Sequence, residues 1–339
     1  MPLLAYEDFY IGQIIDIPAI TVNQDEMVAF ARTYDPQPFH LNEAEAEKSF
    51  AGKLIASGWY SCALLVKNFT EHVMKHSTMC CGAGMPEIRW YKPVCAGDVL
   101  QCRRQVLDKR ISRMNPDLGL VRMEGQLINQ HNELVMSNIV VVVMRLREGV
   151  VIPKEVPSRE PPPGWEPPQP DQPVSLPFIE NIEVGKHYII GSHHFTAQEI
   201  ISFARLYDPQ PFHTDPEAAE HSYLGKLCAS GLHSAAMWLT LSLSFHKRAA
   251  KQALQNHQPV PRTGTSPGIR NLNWYNPVYA GDTITYRTEI TGHKPLKFHS
   301  DWGLLLLKVT GQNQFEQNVL SFEPAVIVQK HPESIISGH

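Results

Sequence analysis

The chain has few cysteines, and their spacing fits neither a disulfide framework nor a zinc site. Six cysteines in 339 residues form no CxxC pair and no dense, even pattern, whereas small secreted domains and structural zinc sites depend on such spacing. The first ten residues, MPLLAYEDFY, carry no basic segment ahead of a long apolar stretch, as a secretory signal would. Free thiols and a cytoplasmic location are therefore expected.

Long apolar runs and basic tracts are also missing. No run approaches the roughly 18 apolar residues of a membrane span, so no membrane partner is expected. With 30 Lys and Arg against 34 Asp and Glu, the net charge is −4, and nucleic acid is not an expected partner either. A hydrophobic fraction of 43% is typical of a globular protein. These absences favour chemistry on small molecules.

Proline, in contrast, is concentrated in one segment: nine prolines fall within the 22 residues of Val156–Pro177. Proline fixes φ and biases the preceding residue towards extended backbone, so this segment is predicted to be a semi-rigid connector. The length allows two domains, each with its own core. The predicted organisation is an N-terminal domain at 1–150, a linker at 151–177 and a C-terminal domain at 178–330.

The two predicted domains share three sequence blocks, which indicates a duplicated domain rather than a short solenoid repeat. Between these blocks the halves differ freely, so the blocks alone share a constraint. The pairs are FARTYDPQPFH (30–40) with FARLYDPQPFH (203–213), GKLIASG (52–58) with GKLCASG (225–231), and WYKPVCAGD (90–98) with WYNPVYAGD (274–282).

Each half is predicted to begin with a helix that ends just before the repeated proline motif. Asn23 and Thr196 are typical N-caps, and Glu199 stands three residues after Thr196, as in a capping box. Both helices are expected to stop near Tyr34 and Tyr207, because Asp-Pro-Gln-Pro cannot continue them. A short polar helix and a longer apolar helix follow in each half.

Three long strands are predicted to close each half. Short, turn-rich connections imply an antiparallel meander that one apolar helix can cover, so the predicted fold class is α+β. The predicted strands are 98–111, 118–130 and 133–146 in the first half and 282–293, 303–314 and 317–329 in the second.

The repeated heptapeptide YDPQPFH holds an acid and an imidazole at one spacing, as Asp35 with His40 and as Asp208 with His213. The prolines argue against a helix here, so both pairs are predicted in loops that follow a helix. If the side chains converge, they can hold and polarise a water. The alternative is structural: the aspartate turns the chain and the histidine only hydrogen-bonds the loop.

Ser57-Gly58 and Ser230-Gly231 are predicted to open the apolar helices. Free backbone N–H groups and the positive end of the helix dipole lie there, and glycine allows close approach of an acyl carbonyl whose oxygen gains charge. The alternative is ordinary N-capping by serine. Neither serine lies in the G-x-S-x-G turn of a hydrolase. His193-His194 lacks a third ligand at a recognised spacing, so no metal is expected.

Taken together, these blocks, with YEDFYIGQ near the start, resemble the MaoC-like dehydratase and (R)-specific enoyl-CoA hydratase family. The resemblance spans essentially the whole chain and implies two tandem hotdog domains, each an antiparallel sheet wrapped around a long central helix. It also implies that Asp35 with His40, and Asp208 with His213, hold the catalytic water. Ser57, Gly58, Ser230 and Gly231 would bind the thioester, with the glycine N–H groups facing its oxygen.

Two departures from the family pattern bear on substrate choice. Gln37 and Gln210 stand where the family usually has asparagine, and Ser57 and Ser230 stand where it usually has histidine. Because both halves keep the Asp/His motif, two catalytic sites are predicted.

The expected activity is reversible hydration of trans-2-enoyl thioesters to (R)-3-hydroxyacyl thioesters. No metal or redox cofactor is expected, since CoA or an acyl carrier protein is part of the substrate, and a homodimer of double-hotdog chains is compatible with the resemblance. A hotdog acyl-CoA thioesterase and a non-catalytic acyl-thioester binding module are the alternatives. Which of Asp and His acts as base is left open.

Overall fold

The computed structural model describes residues 3–296 and 299–331. In this part of the chain, eight α-helices and ten strands follow one another in two similar series. The helices are α1 Gln24–Tyr34, α2 Pro38–Leu41, α3 Glu43–Glu47, α4 Gly58–His72, α5 Ala197–Tyr207, α6 Pro211–Thr214, α7 Pro216–Glu220 and α8 Gly231–Gln255. The strands are β1 Ile14–Thr21, β2 Met79–Trp90, β3 Val99–Ile111, β4 Leu118–Ile128, β5 Leu134–Arg145, β6 His187–His194, β7 Gly268–Trp274, β8 Thr283–Pro295, β9 Trp302–Gln312 and β10 Asn318–Gln329.

All ten strands form one antiparallel sheet in the order β1-β3-β4-β5-β2-β7-β10-β9-β8-β6. The two halves meet where β2 pairs with β7, with Gly84 opposite Asn273 and Met85 opposite Leu272. The order reads the same from either edge inwards, so the halves are related by a pseudo-twofold axis at this seam. The predicted α+β class is therefore confirmed.

Three strands per half are confirmed close to their predicted bounds, but two further strands in each half escaped prediction. Strands β1 and β6 lie at the sheet edges and are mostly exposed or half-buried, so they lack the apolar alternation that marks a strand. Strand β2 contains three of the glycines and prolines that normally argue against a strand interior, Gly82, Gly84 and Pro86. It is held in place by pairing with β5 and β7 on both sides.

Helices α4 and α8 are the long buried helices of the two halves. Their buried faces reach the sheet, and Leu65 and Ala235 are both fully buried there.

The predicted N-caps of the first helix in each half can be compared with the structure. The Asn23 side chain accepts a hydrogen bond from the Glu26 N–H at 3.0 Å, which confirms that N-cap.

Thr196 likewise accepts a hydrogen bond from the Glu199 N–H, at 3.2 Å, but the predicted capping box is wrong in its second part. The Glu199 carboxylate turns instead to His193 Nε2 at 2.5 Å and His233 Nε2 at 3.4 Å. Burial alone would raise the pKa of Glu199, yet its two histidine partners lower it to about 2. Tertiary contacts with histidines therefore replace the local cap.

The proline-rich segment lies along the second half and has no helix or strand in residues 151–177. Arg159 Nε donates to Asp282 Oδ1 at 2.7 Å, and the Arg159 carbonyl accepts from Gln314 Nε2 at 2.8 Å. A buried ion pair thus holds the segment against the second half.

The domain boundaries themselves stay a prediction. In the described residues, no helix is both long and apolar enough to cross a membrane.

Candidate active site

Asp35 and His40 stand on either side of a tight change of direction. Asp35 ends α1, its N–H bonded to the Ala31 carbonyl at 2.9 Å. His40 lies in α2, a single helical turn that starts at Pro38. The prediction that the prolines keep this whole segment in a loop is therefore wrong in part, because proline is well suited to the first position of a helix, where no N–H partner is needed.

The structure brings the two side chains of the first motif together in a buried position. His40 Nε2 lies 3.2 Å from Asp35 Oδ2, and both residues are less than 5% exposed. The other ring nitrogen, Nδ1, is 2.8 Å from the Ile55 carbonyl oxygen. Because a carbonyl can only accept, Nδ1 carries a proton, and the contact between Nε2 and the carboxylate is favourable when a further proton lies between them.

Two neighbours hold the Asp35 carboxylate. Ser57 Oγ donates to Oδ2 at 2.7 Å, and Gln37 Nε2 donates to Oδ1 at 2.8 Å. Burial alone would raise the pKa of Asp35, but His40 and these two donors lower it below its ordinary value. The carboxylate is therefore ionised at neutral pH, and Gln37 supplies the brace for which the sequence resemblance would have expected asparagine.

The second motif has the same partners with looser geometry. His213 Nδ1 is 2.7 Å from the Cys228 carbonyl oxygen, and Ser230 Oγ donates to Asp208 Oδ2 at 2.7 Å. Gln210 Nε2 reaches Asp208 Oδ1 at 3.1 Å. The distance from His213 Nε2 to Asp208 Oδ2, however, is 3.7 Å, beyond direct hydrogen-bonding range.

Two further features describe the surroundings of the second pair. Burial lowers the pKa of His213, although Asp208 and the Cys228 carbonyl oppose the shift. Thr70, which belongs to helix α4 of the other half, donates from Oγ1 to Asp208 Oδ1 at 3.3 Å. The second site therefore has a neutral imidazole at pH 7 and a carboxylate with one extra donor.

Gly58 and Gly231 begin the two buried helices directly beside these pairs, as predicted. Trp90 Nε1 donates to the Gly58 carbonyl at 3.0 Å, and Trp274 Nε1 donates to the Gly231 carbonyl at 3.1 Å. A Cβ on Gly58 would lie 2.6 Å from Trp90 Cε2, and one on Gly231 would lie closer still to Trp274. Only glycine fits under the indole at each helix start.

The two serines that precede these glycines differ in their role as caps. Ser57 makes no side-chain capping hydrogen bond to α4, whereas Ser230 Oγ accepts from the Leu232 N–H at 3.3 Å while it donates to Asp208. Ordinary N-capping therefore accounts for part of Ser230 and none of Ser57. In both halves the serine hydroxyl donates a hydrogen bond to the aspartate carboxylate of the repeated motif.

Each Asp/His pair opens into a cavity that continues beneath the long helix of the other half. The first pair shares a cavity of about 910 Å³ with Trp238, Leu239 and Leu305 of the second half. The second pair lines a cavity of about 250 Å³. This cavity extends into the first half, because Phe69, Thr70 and Arg104 also line it. Neither site is complete within its own half.

Several of these residues were not predicted as functional from the sequence. Trp90 and Trp274 lie in a repeated block, but that block is equally typical of core or interface aromatics, and only the structure shows the indoles against the helix starts. Thr70 and Arg104 lie outside the repeated blocks, so no sequence signal distinguished them.

In the described residues, no group of three or more His, Cys, Asp or Glu side chains could hold a metal ion. His193, one half of the adjacent histidine pair, contacts Glu199, and His194 Nδ1 lies 3.0 Å from Thr283 Oγ1. The expectation that the protein needs no cofactor stays a prediction.

The sequence model of the MaoC-like domain matches two segments of the chain, residues 9–124 and 181–302. The protein YdeM of Bacillus subtilis is 29% identical over 139 residues, which cover 41% of this chain and 97% of YdeM. Each of the two matched segments is thus similar in length to the stretch that this chain shares with YdeM.

Solved structures show the same double arrangement. A MaoC domain protein dehydratase from Chloroflexus aurantiacus superposes with a TM-score of 0.73 at 20% identity, over 97% of this chain and 98% of that one. A conserved hypothetical protein from Mycobacterium tuberculosis with a double hotdog fold gives a TM-score of 0.69 at 16% identity, over 96% and 98% of the two chains. At these identities the likeness concerns the fold, which is the predicted double hotdog.

Proposed function

This chain belongs to the MaoC-like domain family, and from that premise we propose that it catalyses the reversible hydration of trans-2-enoyl thioesters to (R)-3-hydroxyacyl thioesters. The observation that carries the proposal is the buried contact between His40 Nε2 and Asp35 Oδ2, 3.2 Å long, at the head of a large cavity beside a helix start. Asp208 and His213 form the second proposed site.

The Asp/His pair acts on water. An ionised Asp35 accepts one hydrogen bond from the water, and His40 Nε2, fixed in orientation by the Ile55 carbonyl, exchanges a proton with it. The water oxygen bonds to C3 as the electrons of the C2=C3 bond move towards the thioester carbonyl. The Asp/His pair takes up the proton that the water loses and delivers a proton to C2, and the reverse sequence dehydrates the product. The two groups share the proton, so the proposal assigns the base to the pair.

The start of helix α4 stabilises the negative charge on the thioester oxygen. The first N–H groups of a helix have no acceptor within it and lie at the positive end of the dipole. Gly58 lines the same cavity as Asp35 and His40, and Trp90 fixes its carbonyl. An enolate oxygen placed against the Gly58 N–H would be stabilised as it forms, in the manner of an oxyanion hole.

The acyl chain lies in the cavity and the carrier lies outside it. The first cavity, at about 910 Å³, is several times larger than the second, at about 250 Å³, and has room for a long acyl chain. Arg32, Lys92 and Lys247 contribute to its lining and are exposed. They are suited to the phosphates of CoA or of an acyl carrier's prosthetic arm, and no metal or redox cofactor takes part in the proposed reaction.

The test is a hydration assay with trans-2-enoyl-CoAs of increasing chain length, followed by the loss of enoyl absorbance and by chiral analysis of the product. His40→Ala and His213→Ala are compared singly and together with His76→Ala, which alters an exposed histidine. Removing a general acid or base typically costs 10²- to 10⁴-fold in rate. The double variant should therefore lose at least about 100-fold in kcat/KM, and His76→Ala should match the unmutated protein.

Other outcomes distinguish the alternative functions. Release of free CoA, detected with a thiol reagent, would identify a thioesterase. Thermal stabilisation by acyl-CoAs without turnover of any chain length would identify a binding module. Full activity in the double variant would disprove the assignment of the two Asp/His pairs.

A further inference from the structure

Arg104 is a buried cation on the wall of the smaller cavity. It lies on β3 of the first half, is 1% exposed, and lines the cavity that contains Asp208 and His213 of the second half. Phe69, on helix α4, covers one face of the guanidinium, with 4.9 Å from Cζ to the ring centroid. The cavity of the second site therefore has a positively charged group in its wall, supplied by the other half.

The guanidinium has few partners for a buried cation. Its Nη1 donates to Asn138 Oδ1 at 2.7 Å, while its Nε has no hydrogen-bond partner among the described residues. The pKa of Arg104 is lowered by burial to about 10, with only the thiols of Cys62 and Cys102 opposing the shift. At neutral pH the group therefore keeps its charge, and no carboxylate of the described residues forms an ion pair with it.

An unpaired buried charge is costly, because it loses its hydration and no opposite charge compensates for that loss. Neutral polar contacts, such as the one to Asn138, recover part of that cost. Buried arginines in proteins are normally matched by a carboxylate or phosphate, which the planar fork of N–H donors binds in a bidentate manner. Arg104 has donors left over and a cavity in front of it.

The surrounding strands are shaped to hold this arginine. Arg104 on β3 is opposite Gly125 on β4, which is opposite Asn138 on β5. A Cβ on Gly125 would lie 2.6 Å from Asn138 Oδ1 and would overlap the guanidinium. Glycine at this position leaves the space in which the arginine and the amide meet.

Among the described residues, the equivalent positions of the other half carry no charged side chain. The repeated PVxAGD blocks are offset by 184 residues, so Arg104 corresponds to Thr288. Thr288 on β8 pairs with Val309 on β9, and Val309 pairs with Phe322 on β10. Thr288 Oγ1 is occupied as the acceptor for Trp238 Nε1 at 2.9 Å. The charged group is therefore specific to the cavity of the second site and does not follow from the duplicated fold.

We propose that the second site accepts short enoyl thioesters whose acyl chain ends in a carboxylate, and that Arg104 binds this carboxylate in the depth of the cavity. The proposal rests on the proposed hydratase function and adds the substrate class of one of its two sites. The second cavity, at about 250 Å³, is less than a third as large as the first, at about 910 Å³, which favours a short dicarboxylic chain. The first site, larger and without a buried cation in its wall, takes uncharged acyl chains.

The test isolates the second site by a His40→Ala background. Hydration of 4-carboxybut-2-enoyl-CoA is compared with hydration of trans-2-hexenoyl-CoA, which has a neutral chain of similar length. We expect the carboxylated substrate to have the higher kcat/KM. Arg104→Met should lower its kcat/KM at least about tenfold, as for the loss of a charge-assisted hydrogen bond, with little effect on the neutral substrate. The control is Arg103→Met, on the same strand, whose side chain is 41% exposed and pairs with Asp16 at the sheet edge; it should change neither value.

A binding experiment separates failure of this inference from failure of the hydratase proposal. Glutaryl-CoA and hexanoyl-CoA cannot be hydrated, so their affinities, measured by calorimetry, are independent of turnover. Arg104-dependent, tighter binding of glutaryl-CoA supports the inference even if no enoyl-CoA is hydrated. Hydration of hexenoyl-CoA without a preference for the carboxylated chain overturns the inference and leaves the hydratase proposal intact.

The role of Arg104 can be tested even if the Arg104→Met protein is unstable. If Arg104→Met fails to fold, Arg104→Lys keeps the charge but loses the bidentate fork, and it should retain only part of the preference. The substrate and ligand preferences of the unmutated second site decide the matter without any substitution at Arg104. Equal affinity for glutaryl-CoA and hexanoyl-CoA together with equal kcat/KM values would disprove the role of Arg104.

Discussion

Thr70 donates a hydrogen bond from Oγ1 to Asp208 Oδ1 across the seam between the two halves, at 3.3 Å. Thr70 belongs to α4 of the first half and Asp208 to the motif of the second. The position equivalent to Thr70 in the second half is Leu243, which lines the larger cavity beside the first motif. The two copies of the motif thus have different surroundings. Each site is completed by residues of the opposite half, and the two halves differ in sequence at those positions.

The Thr70 contact predicts a substitution that affects one site and spares the other. In the His40→Ala background, Thr70→Val removes one donor to a buried carboxylate, which typically costs about 1–3 kcal/mol. The kcat/KM of the second site should fall by about 5- to 100-fold. The same substitution in a His213→Ala background, where only the first site works, should leave kcat/KM unchanged, and a comparable loss there would contradict the contact.

A second prediction concerns the serines that hold the two carboxylates. Ser57→Ala removes the 2.7 Å hydrogen bond to Asp35 Oδ2, so the carboxylate loses one of the donors that orient it. Hydrogen bonds to charged groups contribute about 1.5–3 kcal/mol, and we expect kcat/KM of the first site to fall by about 10- to 100-fold. Ser49→Ala is the control, since the Ser49 hydroxyl donates to the Ala46 carbonyl and accepts from the Ala51 N–H, and so bonds backbone groups and not the Asp35 carboxylate. An unchanged rate in Ser57→Ala would show that the serine is dispensable.

A third prediction tests the close packing at the helix starts. Gly231→Ala would press a methyl group into the Trp274 indole, and overpacking of this kind typically costs about 1–3 kcal/mol. The melting temperature should fall by several degrees, and Gly58→Ala should act in the same direction through Trp90. Gly292→Ala is the matched control, because its Cβ would meet only Leu306 Cδ1, at an ordinary 3.7 Å. Equal melting temperatures in all three variants would rule out the packing argument.

A fourth prediction concerns pH. The pKa of His213 is lowered in the folded protein, so below the ordinary histidine pKa of 6.5 the unfolded chain takes up a proton that the folded chain does not. The free energy of unfolding therefore decreases as pH falls below 6.5, by at most about 1.4 kcal/mol per pH unit for this one group. His213→Gln should flatten the decrease, whereas His76→Gln should not.

The slope does not vanish in His213→Gln, because burial also lowers the pKa values of His233 and His246. Urea denaturation at several pH values between about 5 and 8 measures the slopes. A His213→Gln protein with the same slope as the unmutated one would contradict the lowered pKa of His213.

Much of the local structure could be predicted because its causes are local. Asn23 caps α1, the helices end at Tyr34 and Tyr207 before Asp-Pro, and the six strands with clear apolar patterns lie near their predicted bounds. The failures have non-local causes. Strand β2, with its glycines and Pro86, is held by pairing on both sides, and Glu199 leaves its local cap for two histidines.

The residues of the candidate sites were also named from the sequence, since the repeat marked them and the resemblance implied their roles; those roles stay a prediction. The structure adds their geometry: His40 and Asp35 are in contact at 3.2 Å, while His213 and Asp208 stand 3.7 Å apart. The identical heptapeptides gave no sign of this difference, because it arises from residues distant in sequence.

By itself the sequence determined that there are two copies of one domain, where the helices start and stop, and which acid and imidazole recur at one spacing in each copy. These follow from short-range constraints of backbone, capping and spacing. Only the tertiary structure decided that each site is finished by the opposite half, that one cavity is several times larger than the other, and that Arg104 lies in the wall of the smaller one. Such features depend on side chains that packing brings together across the sheet seam, where the two halves no longer share a sequence.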